Sequence, residues 1–232
     1  MSERPILFSA PLVRAILDGR KTVTRRVVTV PWRGSQRALP YDPYWIDEDG
    51  VLLVMEEDGS YVRADERWAK YGWPGDKLWV RETFALSVAD PDNCDLDTEN
   101  PSDWDPPIYR ADGEHQGGGW TDQEGHKVKP PWIPSIHMPR WASRLTLTVQ
   151  SSRIERLHAI TSEDALREGI QPYEGCKSSD EASGWDPVGQ YAMFWDTNGK
   201  KPMCSWKDNP WVWRIEFRKE EQDETSMSCS RM

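Results

Sequence analysis

The 232-residue chain has no apolar run near the roughly 18 residues that a membrane-spanning helix needs. Its start, MSERPILFSAP, lacks the basic flank and long apolar stretch of a secretory signal. A cytoplasmic protein with no membrane partner is therefore expected. Cysteine is sparse: Cys94, Cys176, Cys204 and Cys229 stand far apart with no CxxC pair, which disfavours a disulfide framework or a zinc ribbon and makes free thiols the expectation. His115, His126 and His158 share no ligand spacing with one another or with the cysteines, so neither a metal nor a cofactor is expected. Glycine-rich phosphate loops, a GxSxG elbow and internal repeats are missing too. So is an excess of positive charge. With 29 Lys+Arg against 39 Asp+Glu the net charge is −10, which excludes a broadly basic nucleic-acid coat.

What is present is uneven. Hydrophobic residues make up 37% of the chain and mean hydropathy is −0.78, the profile of a modest core carrying much polar loop, hence one domain with insertions. Residues 1–40 hold eight basic residues (Arg4, Arg14, Arg20, Lys21, Arg25, Arg26, Arg33, Arg37) against Glu3 and Asp18, a local +6 that leaves −16 elsewhere. Such a cluster suits one anionic or polar ligand, whereas a long phosphate backbone would meet repulsion over most of the surface. The 14 tryptophans are anomalous. Several sit in loop-like sequence, where they would pin loops to a small core, and a few could stack on an unpaired base.

Residues 4–8 read as a strand. Ser9 then offers an N-cap, Pro11 lies close to the first helical position, and Leu12, Val13, Ile16 and Leu17 recur at helical spacing up to Gly19, giving a helix over about 10–18. GRKTVTRRVVTV runs from a turn into a β-branched strand ending near Pro31. Residues 32–72 read as an insertion holding one hairpin around VLLVM. After the Pro74-Gly75-Asp76 turn, Leu78 and Val80 alternate with Trp79 and Arg81 in a strand. Residues 88–135, rich in proline, glycine and acids, read as a long irregular insertion, and 171–188 as a third. Between the last two insertions, Leu145, Leu147 and Val149 mark one strand and Ile154 and Leu157 a further strand-like stretch. Thr161 or Ser162 caps a short helix ending at Gly169. Helical spacing returns at VGQYAMFWDTN. NPWVWRIEFRK closes the domain as an alternating strand, with Val212, Arg214 and Glu216 opposite Trp211, Trp213, Ile215 and Phe217. The tail from Glu220 reads as disordered. The sum is an α+β domain over 1–219, a small mixed barrel with short flanking helices and long loop insertions.

The densest chemistry is Gly19-Arg20-Lys21-Thr22-Val23-Thr24-Arg25-Arg26, which places an amine, a hydroxyl and two guanidinium groups just after a helix end. On a regular strand Lys21 and Thr24 would face opposite sides, so a site here demands a turn at Arg20 and Lys21. His137, beside Arg140 in SIHMPRW, is a candidate ligand contact. Arg81 and Glu82 read either as ligand contacts or as an ion pair at a strand end. Tyr109, Trp79 and Trp141 are stacking candidates.

An N-terminal strand and helix followed by GRKTVTRR, a GD turn leading into LWVRETF, the SIHMPRWASR stretch, the ALREGI helix end and a final WRIEF strand together resemble the ASCH domain family, most closely the longer members of phages and prophages. The likeness covers the core strands and not the insertions. It implies a PUA-like β-barrel and, by analogy with small bacterial members, a metal-independent amidohydrolase acting on N4-acetylcytidine or similar nucleosides. Carried over by motif, Lys21 and Thr24 are catalytic, with Glu168 as the carboxylate and Glu82 competing for that role; Arg26, Glu82, His137 and Arg81 are implied substrate contacts. The implied partner is a small nucleoside, with RNA possible and no obligate protein partner. A PUA-like binder of RNA or of a modified nucleotide, and a ribonuclease, remain alternatives.

Overall fold

The computed structural model of the chain describes residues 2–32, 35–38, 45–46, 52–55, 61–63, 70–86, 107–113, 132–171, 186–198 and 204–220. In chain order the elements are β1 (Glu3–Leu7), α1 (Ala10–Leu17), β2 (Val23–Val27), β3 (Thr29–Trp32), β4 (Ser35–Ala38), β5 (Trp45–Ile46), β6 (Leu52–Met55), β7 (Tyr61–Arg63), β8 (Lys77–Arg81), β9 (Phe84–Ala85), β10 (Ile108–Tyr109), β11 (Thr146–Arg156), α2 (Ser162–Arg167), α3 (Pro187–Asn198) and β12 (Trp211–Lys219). The class is α+β. No helix among the described residues is long and apolar enough to cross a membrane.

The central sheet has the order β1-β8-β11-β12-β2, parallel between β1 and β8 and antiparallel elsewhere. Period-two alternation on β1 and β8 turns Ile6, Leu78 and Val80 to one face, where Leu12, Val13 and Ile16 of α1 meet them together with Leu147, Val149, Ile215 and Phe217. Burying each such aliphatic side chain contributes about 1.5–3 kcal/mol relative to exposure. The opposite face of the β11–β12 end is covered by α2 and α3, whose Ala165 and Tyr191 pack with Leu157, Ile160 and Val212. Hydrogen bonding leaves β1 and β2 as the two edges. They nonetheless approach each other, because Arg26 Nη2 on β2 donates to the Leu7 carbonyl on β1 at 2.7 Å.

Several expectations are corrected by this packing. Ser9 stands at the N-cap of α1 as expected, but its side chain makes no capping bond, and it is its carbonyl that accepts from the Leu12 and Val13 amides. The two strand stretches expected after Leu145 are one strand, β11, with a register shift between Val149 and Ser151. The middle of β12 is covered on both faces: Val212 and Arg214 are buried as fully as Trp213 and Ile215, because α2 and α3 lie over them. Within 32–72 there is more than one hairpin: β3 pairs with β4, and β5, β6 and β7 make a separate sheet. Glu220 belongs to the fold, its amide bonded to the Thr146 carbonyl and its carboxylate to Thr148 and Lys77. Residues 87–106 and 114–131, most of 171–188, and the tail from 221 lie outside the described residues, as do Cys94, Cys176 and Cys229; Cys204 is buried.

Candidate active site

The turn demanded at Arg20 and Lys21 is present. Gly19 takes φ +74° after α1, and the Lys21 amide bonds back to the Ala15 carbonyl, which folds the lysine under the helix end instead of letting it run on as strand. On the other side Thr161 caps α2 by accepting from the Asp164 amide, and Gly169 at φ +93° ends it. A Cβ on Gly169 would stand 3.0 Å from Ala15 Cβ and 3.4 Å from Lys21 Cβ, so glycine is what allows the α2 terminus to close over Lys21.

Two helix ends far apart in sequence thereby bring Lys21 and Glu168 together. Lys21 Nζ donates to Glu168 Oε2 at 2.6 Å, to the Glu168 carbonyl at 2.9 Å and to the Val23 carbonyl at 2.7 Å, which uses all three ammonium donors. The other carboxylate oxygen, Oε1, is met by Arg25 Nη1 and by the Tyr191 hydroxyl, at 3.4 and 3.3 Å. Arg25 also bonds Glu155 and Asp164, and Arg214 bonds Asp164 in turn, forming a nearly dry chain of alternating charge behind Glu168. Burial pulls the Lys21 ammonium down to about 8, with the Glu168 carboxylate opposing and Arg26 and Arg25 assisting. Burial, reinforced by Glu168, pushes the Tyr191 phenol well above its ordinary value, so it is a neutral donor to the carboxylate. For Asp164, burial works upward, but the hydrogen bonds from Arg214 and Arg25 outweigh it and hold the acid at about 2.

Thr24 pairs with Ile215 and Arg26 with Trp213, so the two share the strand face turned toward α1, while Arg25 faces α2 and α3. Lys21 Nζ lies 5.6 Å from the centre of the Phe8 ring and the Arg26 guanidinium 5.1 Å from it. Among the described residues the Thr24 hydroxyl has no hydrogen-bond partner. Lys21 and Thr24 are each 2% exposed and Glu168 4%, so a ligand reaches them only after a neighbouring side chain shifts.

The other expected site residues lie elsewhere. Glu82, buried at the end of β8, is bonded bidentately by Arg144, which also grips Asp112 and lies 3.9 Å over the Tyr109 ring. Burial raises Glu82, with Arg144 opposing. The Arg81–Glu82 ion pair is not formed, since consecutive strand residues point to opposite faces: Arg81 donates to the Ile136 carbonyl instead. His137 is exposed at the end of a 3-10 turn, Ser135–His137. Trp79 lies between Arg81 and Arg140, at 5.4 and 5.9 Å, and Trp141 is exposed nearby in sequence. Sequence reasoning gave no role to Asp164, Arg214 or Tyr191, and counted Arg25 only among the guanidinium groups beside Lys21 and not as a partner of Glu168. Among the described residues no group of three or more His, Cys, Asp or Glu could hold a metal ion. Comparison with protein-family models, with curated proteins and with solved structures finds no match for this chain.

Proposed function

We propose that the chain is an amidohydrolase removing the acyl group from N4-acylcytidine-type nucleosides, without a metal. The observation that carries the reading is the buried Lys21–Glu168 pair at 2.6 Å, in which burial holds the lysine near 8. A lysine at that value is about one-tenth neutral at pH 7 and can accept a proton, as an ordinary surface lysine cannot. Thr24 Oγ attacks the acyl carbonyl and its proton passes to Lys21. The tetrahedral intermediate collapses with cleavage of the C–N4 bond, the proton returning to N4 by way of Lys21 and Glu168. Water, deprotonated by the same lysine, then hydrolyses the threonine ester and restores the hydroxyl. Direct attack by a Lys21-activated water gives the same products without the ester.

The barrel reading belongs with this function. A PUA-like barrel is supported by the curl that brings Arg26 of one edge strand to Leu7 of the other, with Lys21 beside Phe8 at that seam. A second reading, a binder of a modified nucleotide or of RNA, is favoured by the Arg81–Trp79–Arg140 surface. Incubating the protein with N4-acetylcytidine and following cytidine by chromatography separates the two. Turnover should survive exhaustive chelation and vary little between roughly 50 and 200 mM salt, since a nucleoside has no phosphate whose counterions must be displaced. Tight, steeply salt-dependent RNA binding without hydrolysis would replace the enzyme reading with the binder.

A further inference from the structure

The two edge strands β1 and β2 meet at a seam, and the parity of their hydrogen bonds says which groups line it. On β2 the Thr22 carbonyl accepts from the Phe217 amide and the Val28 amide donates to the Trp211 carbonyl, so Thr24 and Arg26 between them turn their backbone groups toward β12. Val23, Arg25 and Val27 turn theirs to the seam. On β1 the Ser2 carbonyl and the Phe8 amide bond to β8, so the Leu7 carbonyl also points outward. Lys21 Nζ donates to the Val23 carbonyl at 2.7 Å, which places the amine at this edge. Arg26 bridges the gap, donating through Nη2 to the Leu7 carbonyl at 2.7 Å.

Attack on an acyl carbonyl turns its oxygen into an oxyanion, which needs a donor of its own. Lys21 does not supply it, because its three donors are held by Glu168 and Val23 and it takes up the nucleophile's proton. We infer that Arg26 is a further catalytic residue, whose guanidinium holds the acyl oxygen while that oxygen is negative. Its place fits the role: it stands two residues from Thr24 on the same face of β2, and it shares the Phe8 ring with the Lys21 amine, at 5.1 and 5.6 Å. The acceptor it now holds, the Leu7 carbonyl, is neutral. When substrate binds, the guanidinium exchanges one carbonyl for another and gains little; once the acyl oxygen is charged the exchange becomes favourable, so the interaction belongs to the transition state. As the C–N4 bond breaks and the carbonyl reforms, the charge disappears and Arg26 returns to Leu7. Release of the Leu7 carbonyl also unfastens the seam, and a side-chain shift is what access to the buried Lys21 and Thr24 requires.

The inference rests on the amidohydrolase reading, and its test separates the two. Hydrolysis of N4-acetylcytidine is followed in wild type, Arg26→Gln, Arg26→Lys and Arg26→Ala, each on its own plateau above the pH rise, and urea midpoints are taken for all four. Arg26→Gln should lose about a hundredfold or more in kcat while KM changes by less than about threefold. Arg26→Lys should keep part of that turnover, since it retains the charge without the fork of donors. Guanidinium ion at concentrations below those that unfold the protein should restore some turnover to Arg26→Ala and none to the wild type. Wild-type kcat in Arg26→Gln, or a loss confined to KM, overturns the oxyanion role and leaves the amidohydrolase reading standing. A lowered urea midpoint together with lost turnover that guanidinium does not restore makes Arg26 a structural latch and overturns it too. If Arg26→Gln and Arg26→Ala do not fold, the division between kcat and KM in Arg26→Lys decides in the same way. No hydrolysis by the wild type overturns the amidohydrolase reading, and the catalytic role with it.

Discussion

Lys21 is poised between two opposed influences, burial that favours the neutral amine and a carboxylate that favours the ammonium, and burial prevails. If the neutral amine is the base, kcat/KM should climb about tenfold per pH unit up to about 8 and then level, measured on N4-acetylcytidine. A flat profile from roughly pH 6 to 9 would remove the base assignment. Lys21→Arg should lose about a thousandfold or more, because a guanidinium stays protonated. Tyr191 acts at one remove, as a positioning residue: its hydroxyl draws on Glu168 Oε1, and without it the full carboxylate charge falls on the lysine. Tyr191→Phe should therefore move the rise in the pH profile to higher pH, which loss of packing alone would not do. Lys21 and Glu168 were named through the family resemblance; what the residues themselves marked was only that each lies at a helix end stopped by glycine. The grouping of Arg25, Asp164 and Arg214 was not legible, since what makes them a unit is mutual pairing across β2, α2 and β12, and nothing local marks which cation will find which acid.

The elements that sequence reads best are those whose period and stops agree. Helix α1 ends before a glycine at φ +74° and carries a clean apolar stripe, and α2 has both its cap and its terminating glycine. Strand β12 was legible in its alternation, but nothing in the alternation told that helices cover the face of Val212 and Arg214. The ending of α2 also yields a test. Gly169→Ala should cost about 1–3 kcal/mol in urea denaturation, from the positive φ and the close contact with Ala15, and should lower activity by crowding Lys21. Gly19→Ala, where an added Cβ would touch nothing, shares the strain at φ +74° and lacks the crowding, so the difference between the two reports the contact.

For the molecule as a whole, the charge chain behind Glu168 ties β2, α2, β11 and β12 together. Asp164 is held at about 2, below its unfolded value, so its contribution is present at pH above roughly 4 and is lost as the pH falls toward 2. Allowing for its partial exposure, that loss is on the order of 1–2 kcal/mol. Denaturant midpoints taken across that range should fall steeply for the wild type and less so for Asp164→Asn, which should already be weaker at neutral pH. An equal slope in both would show that other acids govern the acid limb.

The strand order also sets a timetable for synthesis. Both edge strands lie near the N-terminus, yet β1 pairs with β8 and β2 with β12, and the two middle strands β11 and β12 are made last. At about 5–20 residues per second, on the order of 10 to 40 s pass between emergence of β2 and arrival of its partner. During that interval β8 arrives for β1 and Glu168 for Lys21, but β2 has no neighbouring strand and the sheet that α1 covers still lacks β12. A nascent chain stalled before Trp211 should remain protease-sensitive and chaperone-bound, and the site should come into being only after β12 has joined β2.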